Sequence, residues 1–148
     1  MADKPYRPCV VGVFRNQQGL LLVGRRSDLP AWQFPQGGID SGEIPEEALY
    51  REMLEELGCD KFRILYASSH TITYDFPADL STRVSRRYRG QRQYWFLCEF
   101  SADARPDLSK ASSREFDDLG WISREEILGQ IIAWKKQAYL DGLKALNL

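Results

Sequence analysis

The sequence predicts a layered α/β fold, and three observations lead to that prediction. The chain has 148 residues, which suits one domain over residues 1–148 with a hydrophobic core of its own. Its hydrophobic content of 43% and charged content of 28% are typical of a soluble globular protein. Short apolar runs of strand length alternate with segments that carry helix start and stop signals. Strands and helices mixed in one small domain pack as layers around a common core.

Strands are predicted in the first part of the chain. The valine-rich run at residues 9–14 predicts a buried strand. The apolar run at residues 20–24 predicts its hairpin partner, across a turn at residues 16–19. Residues 32–36 are expected to be extended, because Pro35 disfavours a helical backbone at the residue before it.

A helix is predicted at residues 45–57. Pro45 suits its first turn, where the missing N–H of proline is not needed. Gly58 suits the left-handed backbone position just past the helix end. Gly37 and Gly38 predict a tight turn before the helix. A glycine loop and a glycine cap therefore frame this helix.

The second half of the chain predicts three more strands and two helices. The strands are expected at residues 62–69, 93–100 and 116–122, with loops at 75–92 and 103–113. Ser123 followed by Glu126 is a capping box, so a short helix should begin there. An apolar stripe over residues 134–146 predicts a final amphipathic helix.

The charge and cysteine content point to a cytoplasmic protein without a membrane or DNA-binding element. The net charge is −1, so attraction to nucleic acid must come from a local patch. Cys9, Cys59 and Cys98 lie far apart in apolar contexts, which predicts buried free thiols in a reducing compartment. The N-terminus lacks an apolar signal region, and no run approaches the roughly 20 apolar residues of a membrane span.

Three carboxylates share one face of the helix predicted at residues 45–57. Glu52, Glu55 and Glu56 fall within about 100° of each other around the helix axis. Like charges at this spacing repel, and a hard divalent cation such as Mg²⁺ would compensate them. The same spacing also occurs on solvated helix faces, so the carboxylates alone leave both interpretations open. Glu43 and Arg51 lie apart from this face and are expected to form a structural ion pair.

The stretch from Gly37 to Cys59 resembles the complete signature of the Nudix hydrolases. Gly37 is followed after five residues by Glu43, and after seven more by the run R-E-M-L-E-E-L-G that ends at Gly58. Only Cys59 departs from the pattern, at a position where an aliphatic residue is usual. The resemblance implies a mixed sheet sandwiched between helices, the Nudix-type α/β/α sandwich. It also implies an enzyme that splits a nucleoside diphosphate linked to another group, using Mg²⁺ or Mn²⁺.

The same resemblance implies roles for the residues of the signature. Glu52, Glu55 and Glu56 would hold the metal together with the Gly37 carbonyl, and two or more ions are expected. The structural positions of the signature are Gly38, Glu43, Arg51 and Gly58.

Segments outside the signature resemble one Nudix subgroup, the bacterial RNA pyrophosphohydrolases, which are similar to dinucleoside polyphosphate hydrolases. These segments lie at residues 6–8, 32–38, 90–96, 115–117 and 134–136. The resemblance covers roughly residues 6 to 140 and is weakest between residues 75 and 89.

Several side chains are expected to bind the substrate. Arg7 and Arg26 can grip phosphate oxygens with their guanidinium forks, although either could be a solvated surface residue. Tyr74 and Gln93 would add neutral hydrogen bonds to phosphate, or would be ordinary polar tips on strands.

The end of the chain carries the residues expected to read RNA. In the subgroup, an aromatic residue at the position of Trp134 and an arginine at that of Arg26 sandwich a base, and Lys135 lies beside them. A place for Trp134 in the core of the last helix is the alternative. Arginines between residues 83 and 92 either follow the RNA backbone or belong to a solvated loop.

The catalytic group is expected to contain four carboxylates. The subgroup supplies a further metal-binding acid at the position of Glu115, which otherwise reads as a surface glutamate before a strand. A carboxylate must also take the proton of the attacking water. Glu52 is the predicted general base, with Glu55 and Glu115 as rivals.

The predicted function is conversion of the 5′-triphosphate end of RNA to a 5′-monophosphate, which would start the decay of messenger RNA. The close alternative is hydrolysis of dinucleoside polyphosphates or (d)NTPs, which needs the same metals and less RNA-binding surface. An alternative from another class is a non-catalytic nucleotide-sensing domain. The intact glutamate set argues against a sensor, and no helix-turn-helix or second domain remains to transmit a signal.

Overall fold

Two sheets form the frame of the protein, which we describe over residues 3–148 from a computed structural model. The larger sheet contains β1 (Tyr6–Phe14), β4 (Gln36–Gly38), β5 (Phe62–Ala67), β6 (Ile72–Asp75) and β7 (Gly90–Phe100). The smaller sheet contains β2 (Leu21–Arg26), β3 (Trp32–Gln33) and β8 (Phe116–Ile122). In the larger sheet β1 and β7 run parallel, whereas β4 pairs antiparallel with β1, and β5 and β6 pair antiparallel with β7. This sheet is therefore mixed, as the fold prediction requires.

Helices cover both faces of the larger sheet. They are α1 (Pro45–Leu57), α2 (Arg83–Arg87), α3 (Arg124–Gln130) and α4 (Lys136–Ala145), with 3₁₀ turns at Leu108–Lys110 and Ala133–Lys135. Alternate residues of β1 face opposite sides of the sheet. Val10 packs in one core cluster with α1, and Val11 packs in the other with α3 and α4. The predicted α/β/α sandwich is confirmed.

The glutamate helix has the predicted bounds. It begins at Pro45 and ends at Leu57, and Gly58 follows with a left-handed φ of 69°. A Cβ at Gly58 would also overlap the backbone oxygen of Asp107, so both conformation and space call for glycine there. Within residues 3–148 no helix has the length and apolar character needed to cross a membrane.

The predicted hairpin of the first two strands is wrong. Within the described residues only an isolated bridge between Arg15 and Leu21 joins them, and the strands then diverge into different sheets. β1 exchanges its backbone hydrogen bonds with β4 and β7, whereas β2 pairs with β3 and β8. The closeness of β1 and β2 in the sequence suggested that they pair, but each strand pairs with other strands instead.

Half of the segment predicted as a loop at residues 75–92 is regular. It contains α2 and the start of β7, and the last residue of β6, a strand that the sequence analysis missed, lies at its beginning. Thr82 caps α2 by accepting from the Ser85 amide, and the Ser85 hydroxyl closes the capping box. The predicted final helix at residues 134–146 is instead a 3₁₀ turn followed by α4.

Candidate active site

The glutamate face of α1 lies against residues 37–44, which we call the glycine loop. Its first two residues, Gly37 and Gly38, end strand β4, so the tight turn predicted at these glycines is wrong, and the turn before α1 lies at Gly42 with a φ of 87°. Glu56 is only 2% exposed, whereas the side chains of Glu52 and Glu55 are 14% and 43% exposed. A Cβ at Gly37 would overlap the carboxyl group of Glu52, so the close approach of these elements requires glycine. The helix and the loop therefore bring the Gly37 backbone beside Glu52.

Arg51 is the hub of a charge network at the edge of this face. Its Nε donates to Glu43 Oε2 at 2.7 Å, and its Nη2 donates to the Gly38 carbonyl at 2.8 Å. This confirms the predicted ion pair, and Arg51 holds the pKa of Glu43 down at about 2. The same guanidinium also donates from Nη1 to Glu52 at 2.9 Å and to Glu55 at 3.2 Å. The expectation that Arg51 lies apart from the glutamate face is therefore wrong, because it neutralises part of that face.

Glu56 lacks such a partner. Its Oε2 is buried without a hydrogen-bond partner within residues 3–148. Burial, and then the charges of Glu115 and Glu52, raise its pKa well above the ordinary value. Glu115 reaches this position because it immediately precedes β8, and its backbone oxygen accepts from the Ser27 amide at 2.9 Å. The structure thus brings the fourth predicted acid beside the helix face.

The donors at this face fit a hard divalent cation. A buried carboxylate with a raised pKa, one oxygen of which has no partner within residues 3–148, marks a place that lacks positive charge. All the predicted donors are oxygens, which Mg²⁺ and Mn²⁺ prefer. Within residues 3–148 no group of three or more Asp, Glu, His or Cys side chains is arranged to hold a metal ion. Arg51 holds Glu52 and Glu55, so these two would have to turn from it to join Glu56.

Arg7 and Tyr74 lie on one row of the larger sheet. Arg7 on β1 and Tyr74 on β6 are both direct partners of Gln91 on β7, so the three side chains share a face. Arg7 packs over the glycine loop, since a Cβ at Gly38 would lie 2.6 Å from its Nη2. The Tyr74 hydroxyl is buried and has no hydrogen-bond partner within the described residues, and burial raises its pKa. This hydroxyl therefore has unused hydrogen-bonding capacity.

Gln93 belongs to a buried amide network that the sequence analysis missed. It is 1% exposed, and its Nε2 donates to Gln36 at 3.1 Å and to Gln91 at 2.9 Å. Its Oε1 accepts from the indole N–H of Trp95 at 3.0 Å. The predicted direct bond from Gln93 to phosphate is not favoured by this geometry, because both amide atoms are occupied. In the sequence, the glutamines at the alternating positions 91 and 93 were the signal that could have predicted this amide network.

An aromatic cluster forms one end of the site. The half-buried Trp134 packs against Tyr74 and Phe76, with ring centroids 5.8 and 6.1 Å apart. Arg26 donates to both carboxylate oxygens of Asp28 at 2.9 and 2.6 Å, a pairing that the sequence analysis missed. An arginine already held by a carboxylate presents its planar face in a fixed orientation.

Lys135 is a buried cation in the site. It is 7% exposed, its Nζ donates to Gln33 Oε1 at 3.4 Å, and the same atom lies 5.3 Å from the centre of the Trp134 ring. Burial, reinforced by the charge of Arg26, lowers the pKa of Lys135 to about 8. A buried ammonium without a carboxylate in contact is suited to an anionic ligand.

The arginines between residues 83 and 92 lie on different elements. Arg83, Arg86 and Arg87 lie on α2, whereas Arg89 pairs with Asp75 at 3.1 Å.

The three cysteines are free and buried, as predicted.

Comparison with known proteins identifies relatives over most of the chain. The NUDIX domain family matches residues 5–141. An RNA pyrophosphohydrolase of Cereibacter sphaeroides is 42% identical over 140 residues, which cover 91% of this chain and 86% of that protein. The RNA pyrophosphohydrolase of Rickettsia conorii is 41% identical over 93% of this chain and 87% of its own length. Among solved structures, the MutT protein of Methanosarcina mazei matches with a TM-score of 0.69 at 20% identity over all of both chains.

Proposed function

The chain belongs to the NUDIX domain family, and on that premise we propose that it is an RNA pyrophosphohydrolase. It would convert the 5′-triphosphate end of RNA to a 5′-monophosphate end and release pyrophosphate, or two phosphates in steps. The observation that carries the proposal is the buried Glu56 carboxylate beside Glu115, one oxygen of which has no hydrogen-bond partner within residues 3–148, in a site lined by cations. Relatives named RNA pyrophosphohydrolase at 41–42% identity support the choice of substrate.

The residues proposed to hold divalent ions are the four carboxylates and one carbonyl already described. They are Glu52, Glu55, Glu56 and Glu115, with the backbone oxygen of Gly37. Two or more Mg²⁺ ions are proposed, and Mn²⁺ would suit the same oxygen donors. When bound, such ions neutralise phosphate charge and lower the pKa of water from about 15.7 toward neutrality.

Glu52 is the proposed general base. Burial raises its pKa, against the opposing effect of Arg51. A carboxylate with a raised pKa accepts a proton from water more readily than an ordinary one. The attacking water oxygen would bond to phosphorus, Glu52 would take a proton, and the phosphoanhydride P–O bond would break. Glu55 and Glu115 remain rivals for this role, but Glu55 is more exposed than Glu52.

The cationic and aromatic side chains would hold the RNA end. Arg7 and Lys135 are proposed to bind phosphate oxygens, together with the unpartnered hydroxyl of Tyr74. Trp134 and Arg26 are proposed to sandwich a base. Gln93 would act indirectly, since it bonds to Gln36 immediately before the glycine loop. Such positioning lowers the entropy cost of bringing phosphate and water into line.

The proposed reaction would take place in the cytoplasm, where it would expose transcripts to decay. The three buried free thiols are consistent with a reducing compartment. The dinucleoside polyphosphate and (d)NTP alternatives use the same carboxylates and need less RNA-binding surface.

The proposal is tested by following the 5′ ends of a triphosphate-ended RNA in Mg²⁺. The wild-type protein should produce monophosphate ends, which a monophosphate-dependent exonuclease then degrades. Glu56→Gln should abolish this conversion. Glu46→Gln is the matched control, because Glu46 lies exposed in the first turn of the same helix. Binding of RNA without any conversion by the wild type would contradict the enzymatic role and favour a sensor.

A further inference from the structure

A second basic surface lies next to the site, between α2 and the glycine loop. The two elements enclose a cavity of about 410 Å³, and Arg7, Gly38, Arg83 and Arg87 are among its lining residues. We call it the α2 cleft. The N-terminal segment holds α2, one side of this cleft, because Lys4 Nζ donates to the Ser85 carbonyl on α2 at 2.8 Å.

The arginines of the α2 cleft carry free charge. Within residues 3–148 no salt bridge engages Arg7, Arg83 or Arg87, whereas nearby Arg51 and Arg89 are paired with carboxylates. Among the residues that the structure describes, 3–148, the one acid that lines the cleft is Asp40, which lies 3.5 Å from Arg51. The cleft is therefore a site of net positive charge, suited to a ligand with several negative charges.

The cleft lies at the far end of the site from the aromatic cluster. Tyr74, Gln91 and Arg7 form one row across the sheet. Tyr74 packs against Trp134 at one end of the row, and Arg7 packs over Gly38 at the other. The carboxylate of Glu52 adjoins the same glycine loop. A substrate whose nucleoside end lies on Trp134 would thus extend its phosphates past the glutamates toward the cleft.

We infer that the α2 cleft binds the distal phosphates of the substrate and hence the pyrophosphate product. This inference rests on the proposed function for the orientation of the substrate, with its base on Trp134. Arg7 would contact the phosphates first, and Arg83 and Arg87 would hold their far end. Phosphodiesters of the RNA backbone would instead leave the site from the nucleoside end, away from α2.

The test compares four RNAs that differ in length and in the number of phosphates. A dinucleotide and a decanucleotide would each carry a 5′-triphosphate or a 5′-diphosphate. In the double variant R83Q/R87Q, kcat/KM for triphosphate ends should fall about tenfold more than for diphosphate ends, at both lengths. Arg86→Gln is the matched control on the same helix, because Arg86 does not line the cleft.

A loss that grows with RNA length and ignores the number of phosphates would overturn the inference. It would show instead that α2 follows the RNA backbone. A second readout is independent of turnover: calorimetric titration with inorganic pyrophosphate in EDTA. Pyrophosphate should bind the wild type and Arg86→Gln equally, and R83Q/R87Q about tenfold more weakly. Equal binding by all three would overturn the inference, even if RNA turnover supports the proposed function.

Discussion

Replacing Gly37 with alanine should slow the reaction strongly while leaving the fold intact. A Cβ at this position would overlap the carboxyl carbon and Oε2 of Glu52. The overlapped atoms are the far end of a flexible side chain, so the carboxylate can swing away without disturbing the core. The perturbation therefore falls on the proposed general base rather than on stability.

The size of the effect follows from the overlap. Carbon atoms in contact lie about 3.5 Å apart, so the Glu52 carboxylate must move by about 1 Å or more. A misplacement of about 1 Å in a catalytic group costs about 10²-fold in rate. We expect kcat for triphosphate RNA to fall by about that factor, and the free energy of unfolding to change by less than about 1 kcal/mol.

Two other glycines supply matched controls. Gly129 on α3 has no atom within 4 Å of an added Cβ, so Gly129→Ala should leave kcat unchanged and leave stability equal or higher. A Cβ at Gly142 would overlap the buried Trp95 ring, so Gly142→Ala should cost about 1–3 kcal/mol of stability. Urea unfolding and single-turnover kinetics would measure both quantities. Wild-type kcat in Gly37→Ala would refute the claim that the carboxylate must lie against the glycine loop.

Three further predictions concern charge, stacking and metal. Because the pKa of Lys135 is about 8, its charge is lost as the pH rises through that value. KM for triphosphate RNA should therefore rise above pH 8 in the wild type. It should stay low in Lys135→Arg, because arginine keeps its charge. Its unfolded-state pKa near 10.5 means that the unfolded protein binds more protons between the two values, so across that window the stability of the wild type should rise with pH relative to that of Lys135→Met. Trp134→Ala should raise KM for RNA, because the loss of one stacked base weakens binding by roughly 1–3 kcal/mol. Trp134→Phe should restore most of the lost affinity. Equal KM values for the wild type and Trp134→Ala would refute the base sandwich. In thermal scans, Mg²⁺ should raise the melting temperature of the wild type and of Glu46→Gln but not that of Glu56→Gln. An equal rise in all three proteins would show that the metal binds elsewhere.

Local signals predicted the parts of the structure that depend on local physics. Pro45 and Gly58 set the bounds of α1 correctly, because each suits a backbone conformation that the helix end imposes. The capping box at Ser123 also starts α3 as predicted. The box at Thr82 is closed by Ser85 instead of Glu or Gln, so the usual sequence signature was absent and α2 was missed.

Pairings between distant residues could not be predicted in the same way. β1 joins β7, more than eighty residues further along the chain, instead of the adjacent β2. β6 was missed because its four residues gain regular structure only by pairing with β7. Sheet partners are chosen by the packing of the whole core, which local periodicity does not report.

The candidate site shows the same division. The shared face of Glu52 and Glu56 follows from helical spacing alone, and the spacing of Arg51 and Glu55 already signalled an ion pair. The buried pairing of Lys135 with Gln33 joins residues far apart in sequence, so only the fold could reveal it. Burial in the folded protein lowers the pKa of Lys135, which its place in the sequence did not indicate.

The most direct test of RNA as the substrate is a competition in Mg²⁺. Triphosphate-ended RNA, diadenosine tetraphosphate and GTP would be mixed at equal concentration with the protein, and their products resolved over time. The proposed function predicts that the RNA is consumed first, with release of pyrophosphate or phosphate and formation of monophosphate ends. Faster consumption of either small nucleotide would contradict it and assign the same carboxylates to nucleotide clearance.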